Sequence, residues 1–334
     1  MKKLFYILPI LFLLNSCFKE DVAVNPYPRG DITTNQVKMG SQYEHQVYFD
    51  LSSNSVVKTN LFGIWDLSFQ AYDDYYVKMN LGRDMAIQDL GKVEFESVVE
   101  PLSNDQYKRD VPSGNMDSSA IGKWWEMVNN NVESKNHVYI IDRGRDHNRV
   151  KGGKWKMMIL GANNSGYTII FSELKSERID TLFVPRTDGY NYITMSFENG
   201  GEVNNLEPPS TDWDLYFTTY TEFFDVPGFE IYPVRGALIN DRLCSAAEAD
   251  STSEFSELTA EVAQSITFTK RRNVIGYSWK EPDINTGVYT VNPLKKYLIK
   301  DPNGFIYKLR FVGFQKIIDG KAEKGYPEFE FKLL

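Results

Sequence analysis

The chain has 334 residues, 42% of them hydrophobic and 14% aromatic, enough apolar surface to bury one large core or two ordinary ones. That excludes a wholly disordered chain, and 23 Gly with 14 Pro exclude collagen-like and low-complexity organisation. With 37 basic against 45 acidic residues and a formal charge of −8, no nucleic-acid partner is expected, and two cysteines cannot make a disulfide framework.

In chain order, the first element is an address. Met1-Lys2-Lys3 precedes an apolar run from Leu4 to Leu14, then Asn15-Ser16-Cys17. A basic start, a short apolar stretch and a small-residue cleavage site describe a secretory leader, and the run is shorter than the roughly 18–20 residues a spanning helix needs. Leu14-Asn15-Ser16-Cys17 resembles the lipobox of bacterial lipoproteins, which implies a leader over 1–16 and lipid, palmitate included, on Cys17. Several acyl chains make such an anchor durable. Phe18-Lys19-Glu20-Asp21 is similar to the surface-export tag of lipoproteins from the Bacteroidetes group, implying an outer-membrane lipoprotein exposed at the cell surface. Residues 17–30, with Asn25-Pro26-Tyr27-Pro28, read as the lipidated terminus and an extended tether.

Beyond the tether one unit is written twice. Ile64-Trp65-Asp66-Leu67-Ser68-Phe69 recurs as Asp212-Trp213-Asp214-Leu215-Tyr216-Phe217, and the same spacing of 148 maps Phe49 to Phe197 and Tyr72 to Tyr220. Ile121-Gly122-Lys123-Trp124-Trp125 matches Ile275-Gly276-Tyr277-Ser278-Trp279, and Lys154-Trp155-Lys156-Met157 matches Ile306-Tyr307-Lys308-Leu309. Matches kept in order along the chain predict two homologous units, 31–165 and 166–334. Their local signal is β: Trp65, Leu67, Phe69 and Ala71 alternate with Asp66, Ser68 and Gln70, as do Phe329, Phe331 and Leu333 with Glu330 and Lys332. Asp301-Pro302-Asn303-Gly304 predicts a hairpin turn. A helix is expected over 253–264, where Phe255, Leu258 and Val262 follow helical spacing and Ser251 with Glu254 suggests a capping box. The fold class is therefore all-β, two tandem, mostly antiparallel units with a few short helices, and the paired tryptophans read as core anchors.

The second half carries words of a known family. Trp213-Asp214-Leu215-Tyr216-Phe217, Asn273-Val274-Ile275-Gly276-Tyr277-Ser278-Trp279-Lys280, Tyr297-Leu298-Ile299-Lys300-Asp301, Tyr307-Lys308-Leu309-Arg310-Phe311 and Gly325-Tyr326-Pro327-Glu328-Phe329-Glu330-Phe331 resemble the HmuY family of Bacteroidetes lipoproteins. The first half carries a weaker version. The resemblance implies an all-β protein that binds haem, or a related flat apolar ligand, and hands it to an outer-membrane transporter such as a TonB-dependent receptor.

Haem iron takes His, Met, Cys or Tyr as axial ligands. The second unit holds no His and one Met, Met195, so the candidate ligands are His137, His147 and His45, all in the first unit. A hairpin could bring His137 and His147 to neighbouring strands, with Arg143, Arg145 and Arg149 meeting the propionates as charge-assisted donors. Other patterns are weaker. Asp142, Asp146 and Asn148 around Gly144 form a polar turn lacking the terminal acid of a calcium loop, and Lys270-Arg271-Arg272 reads as a solvated strand end. Cys244, unpaired once Cys17 is lipidated, reads as a small buried hydrophobe. No Gly-x-Ser-x-Gly, His-Glu-x-x-His, phosphate-binding Gly-Lys-Ser/Thr or Cys-x-x-Cys motif occurs, so no enzyme is expected. The competing function is a non-catalytic surface protein that binds another protein or a glycan, with haem ligation lost.

Overall fold

The computed structural model describes residues 30–103, 106–228, 230–283 and 287–334. The expected leader, the expected lipid site Cys17 and all of the expected tether but Gly30 lie outside the described residues. Among the described residues the protein is all-β, with several antiparallel sheets, short 3-10 turns and a single α-helix, α1 (Ala260–Gln264).

The strands fall into an alternation of triplets and longer runs. The first triplet is β1 (Thr33–Gln36), β2 (His45–Asp50) and β3 (Ser55–Leu61). The first run is β4 (Leu67–Gln70), β5 (Val77–Met79), β6 (Ala86–Asp89), β7 (Trp125–Val128), β8 (Asn131–Ser134), β9 (Val138–Asp142), β10 (Lys154–Asn163) and β11 (Gly166–Glu173). A second triplet follows, β12 (Asp180–Pro185), β13 (Tyr192–Ser196) and β14 (Glu202–Asn204). The second run is β15 (Leu215–Phe223), β16 (Ile231–Ile239), β17 (Ser245–Glu248), β18 (Lys280–Pro282), β19 (Tyr289–Val291), β20 (Lys296–Lys300), β21 (Ile306–Ile318) and β22 (Lys321–Leu333).

Two cores result, each between a five-stranded and a four-stranded sheet. In the first, the sheet β12-β11-β10-β9-β6 faces β14-β13-β4-β5; in the second, β1-β22-β21-β20-β17 faces β16-β15-β2-β3. The triplets are exchanged. The triplet at the amino terminus completes the second core, and β12–β14, which lead into the second run, complete the first. The first core buries Leu67, Phe69, Trp124, Trp125, Tyr167 and Phe171; the second buries Phe49, Leu215, Phe217, Trp279, Tyr297 and Phe329. Pairing runs across the expected boundary at 165/166, which falls in the connection between β10 and β11, two strands joined along their length. Periodicity reports that segments match, not which core each strand joins.

Like positions in the two cores carry like contacts. Asp66 N–H donates to Met195 O (2.8 Å) and Asp214 N–H to Phe49 O (3.0 Å). Register thus aligns Phe49 with Met195, two residues from the Phe197 that spacing suggested. Asn80 and Asn240, both fully buried, close the same turn: the Asn80 amide donates to Phe62 O and Trp65 O, and the Asn240 amide to Ser210 O and Trp213 O. Lys156 lays its ammonium on Phe95 O and Val98 O (3.0 Å each), and Lys308 on Phe255 O (2.8 Å), each above the phenylalanine ring. Buried ammonium groups without a carboxylate are tolerated there because carbonyl oxygens and ring faces replace water.

Several local expectations shift for physical reasons. Trp125, Trp213 and Trp279 are core anchors, but Trp65 is half-buried and donates its indole N–H to Gln46 (3.1 Å). All of β4 is buried, Ser68 and Gln70 included, so the polar face that alternation assigns to solvent is covered as well. The turn at Asp301–Gly304 forms as expected, with the Asp301 carboxylate accepting from Asn303 N and Phe305 N. The helix expected over 253–264 is a 3-10 turn, Phe255–Glu257, an extended Leu258, and then α1 capped by Thr259. Glu254 N–H donates to Glu257, not to a partner of Ser251, and Val262 points outward because Leu258 interrupts the spiral. Arg272 is no solvated strand end: its backbone bonds Ser113 and Ile239, and its guanidinium lies over the Tyr216 ring.

Two outcomes follow. Expressed separately, 31–165 and 166–334 each leave a core without strands, so circular dichroism and hydrogen exchange are expected to show neither folding cooperatively; two independent melting transitions would contradict the exchange. Second, Asp214 is nearly inaccessible, held by Leu51 N–H (2.8 Å) and Cys244 Sγ (3.4 Å), and burial pushes its carboxyl up to about 7. The folded chain therefore keeps a proton that the unfolded chain releases above about pH 4, so this group's stability is full at low pH and is lost as pH rises towards 7. Asp214→Asn is expected to remove a fall on the order of 1–3 kcal/mol from the denaturant-measured profile over that window; an unchanged slope would refute it.

Candidate functional site

Where the two cores meet, a cleft of about 660 Å³ opens. That volume lies within the usual range for small-molecule and cofactor sites. One wall is the connection 143–153 between β9 and β10, with Arg83, Asp84 and Arg109 beside it; the other is Thr219 and the Tyr232-Pro233 and Arg235 stretch of β16. The corresponding connection in the second core, between β20 and β21, is only 301–305, too short to raise such a wall.

Cations dominate the lining. Arg83, Arg109, Arg145, Arg149, Lys151, Lys154 and Arg235 face Asp84, Asp142 and Asp146. The carboxylates are already engaged: Asp84 with Arg109 (2.9 Å), Asp142 with Lys154 (2.8 Å), and Asp146 with the N–H groups of Asn148 and Val150. Asp142, Asp146 and Asn148 thus form the ordinary polar turn their sequence suggests, and among the described residues no group of three or more His, Cys, Asp or Glu could hold a metal ion. Burial works against charge on Lys154, but the Asp142 and Tyr107 contacts more than offset it and raise its pKa. For Arg83 burial wins over the nearby Asp66, and its pKa falls. Behind Arg235, Lys280 donates to the Arg235 carbonyl and sits among the Trp279 and Phe314 rings, where burial and then the Arg235 charge push its pKa well down.

The histidines are separated. His147 stands in the cleft wall, half-buried, edge-on to Phe62, with Asn148 Nδ2 3.2 Å from Nε2 and no hydrogen-bond partner for Nδ1 among the described residues. His137 lies at the other end of β9, 3.0 Å from Asp89, so the strand holds the two imidazoles apart rather than pairing them. His45 opens β2, with Nδ1 3.3 Å from Met39 O, and does not line the cleft. Arg145 and Arg149 are exposed in the cleft wall, but Arg143 is not available to a ligand: it is buried, bidentate to Asp66 at 2.9 Å twice, and bonded to Glu198 (2.7 Å). Burial opposes the Arg143 charge, yet Asp66 and Glu198 more than offset it and raise its pKa.

Two glycines let the wall come this close. A Cβ on Gly63 would lie 2.5 Å from His147 N, and Gly144, at φ +59°, would set one 1.8 Å from Arg83 O. Sequence reasoning missed Arg83, Arg109, Tyr232 and Arg235, because they come from separate elements and only the fold gathers them, and it passed over Lys151 on the very stretch it singled out. The dense Arg143-Gly144-Arg145 to Lys151-Gly152-Gly153-Lys154 stretch was the one local signal.

Comparisons place the chain among known proteins. No curated protein matches it. Among solved structures, apo PinO from Porphyromonas gingivitis is 11% identical, over 91% of this chain and 98% of that one, with a TM-score of 0.29. The apo HmuY analog TFO of Tannerella forsythia is 10% identical, over 92% and 98%, with a TM-score of 0.24. A provisionally named HmuY-like heme binding protein from Bacteroides vulgatus is 10% identical, over 91% and 95%, at 0.22. Scores this low carry no argument, so the assignment rests on the family model of the HmuY protein. It matches residues 42–331, and the chain belongs to the HmuY family.

Proposed function

We propose that this chain captures haem in the cleft between its cores, as a surface lipoprotein held by Cys17 at the outer membrane, and hands it to a transporter such as a TonB-dependent receptor. The observation that carries the reading is the cation excess gathered around His147, on a connection that the second core does not build. Family membership supports haem as the cargo. The residues fit that cargo in kind: His147 and Tyr232 are the cleft residues of types that ligate haem iron, and Arg145 and Arg149 are guanidinium donors suited to two propionates. Phe62 and Pro233 supply apolar surface. No catalytic step is assigned; function is binding and release.

The chain reads as two tandem HmuY-like units that trade their first three strands, which accounts for a cleft at the joint rather than inside either core. The second reading, a surface protein that binds a glycan or another protein, is favoured by the scarcity of apolar lining, and an acidic glycan would use the same arginines.

Titration of the mature protein with haem is expected to shift the Soret band. His147→Ala should alter the spectrum of the complex, and Arg145→Glu with Arg149→Glu should weaken binding about tenfold or more. His137→Ala should change nothing. Absence of any Soret shift in the unmodified protein would end the haem reading. For the anchor, palmitate labelling of cells is expected to mark the chain and to fail for Cys17→Ala; equal labelling would remove the lipid attachment.

A further inference from the structure

The two Trp-Asp motifs place one buried aspartate in each core, at like positions with unlike partners. Asp214 meets a backbone N–H and the Cys244 thiol, and no arginine. Asp66, fully buried, takes the Arg143 fork on both oxygens, Arg83 at 3.3 Å, and Phe197 N–H (2.9 Å). Those two arginines are the fixings of the cleft wall. Arg143 N–H donates to Gly153 O (3.1 Å), its guanidinium reaches Gly152 O (3.3 Å), and Arg83 donates to Arg143 O (3.0 Å) and Gly63 O (2.8 Å) while its own carbonyl accepts Arg145 N–H (2.8 Å). The far side of the Arg143 fork ends on Glu198, beyond β13 of the exchanged triplet and 61% exposed.

We propose that Asp66 is a positioning residue for the ligand cleft: through Arg143 and Arg83, and with Glu198 as outer stay, it sets where the connection 143–153 stands and thus where His147 and Arg145 meet a ligand. Its counterpart Asp214 holds one backbone N–H and the Cys244 thiol and has no such role. The inference rests on the cleft being the ligand site proposed above. Small displacements matter there, since a site must be held within about 0.5 Å of its working geometry.

The paired motifs supply the control. A merely structural role would lower the stability of Asp66→Asn, which strands two buried arginines, while leaving the affinity and the spectrum of the folded protein unchanged; Asp214→Asn controls for the loss of a buried carboxylate as such. With haem as probe, Asp66→Asn is expected to weaken binding about tenfold and change the visible spectrum, Glu198→Gln about threefold, and Asp214→Asn less than twofold. Glu198 is exposed enough that its variant folds if Asp66→Asn does not. Amide hydrogen exchange of residues 145–151 in the ligand-free protein is read in parallel: faster in Asp66→Asn and Glu198→Gln, unchanged in Asp214→Asn. If all variants protect that segment equally, or Glu198→Gln binds haem as the parent does, the positioning role is overturned. If the parent binds no haem while the exchange pattern appears, the haem reading fails and the positioning of the wall stands.

Discussion

A sheet that lacks a neighbour strand leaves a row of N–H and C=O groups that must find partners, and here each core draws that neighbour from a distant part of the chain. β22 is covered by β1, and β15 by β2, while β4 is covered by β13 and β11 by β12. Because the triplets cross in both directions, neither core can close without chain that belongs by sequence to the other run. The joint is therefore fixed by main-chain hydrogen bonds rather than by a thin contact between domains, and a cleft at that joint has walls that cannot drift apart independently. Contacts between the cores add to this: Asn191 Nδ2 donates to Asn240 (3.0 Å), and Thr221 Oγ1 to Leu81 O (2.9 Å).

Within that frame the two cores differ where charge is concerned and are alike where apolar packing is concerned. A buried carboxylate with a bidentate guanidinium is stable only while both are present, since removing one partner strands the other and costs about 3–5 kcal/mol. The first core keeps Arg143 opposite Asp66. In the second, pairing of β20 with β21 and of β9 with β10 puts Asp301 at the place Arg143 holds. Burial shifts Asp214 and Asp301 both upward, and for Asp214 the nearby Asp50 and then Asp301 add to it. The second core answers with a proton and a thiol what the first answers with arginine. Among the described residues, Asp214, Cys244 and Asp301 do not line the cleft between the cores.

The strands were legible because burial on one face writes a period of two, and the turn at Asp301-Pro302-Asn303-Gly304 because its residues are the ones such a turn needs. The doubled Trp-Asp motif was legible as spacing, and the like contacts of Asn80 and Asn240 show what that spacing preserves. The exchange was not legible, because a strand's own pattern says which face is buried and not which neighbour covers it. The helix at 253–264 failed for a related reason: Phe255 and Leu258 are buried as a helical face would be, yet a 3-10 turn with one extended residue buries them equally well. Arg145, Arg149 and His147 were singled out together because one short stretch carries them, and all three line the cleft. Arg143 was misassigned because sequence cannot tell an arginine aimed at solvent from one spent on a buried carboxylate.

The charge of the cleft also bears on how a ligand would arrive. The chain as a whole is acidic, so an anion approaching at random meets repulsion over most of the surface, and the cationic lining forms a local minimum in that field. Screening at physiological salt limits such steering to about 8 Å, so the cleft sorts by charge only those ligands already near its mouth. Selection beyond that must come from shape and from hydrogen bonds, and the groups able to give it sit on the connection 143–153 and on the facing Tyr232 and Arg235 of β16. A wall latched at its base by Arg143 while Arg145, which donates to the Arg149 carbonyl (2.9 Å), and Arg149 stay exposed offers guanidinium donors in fixed position, which is what recognition of a rigid, multiply charged ligand requires.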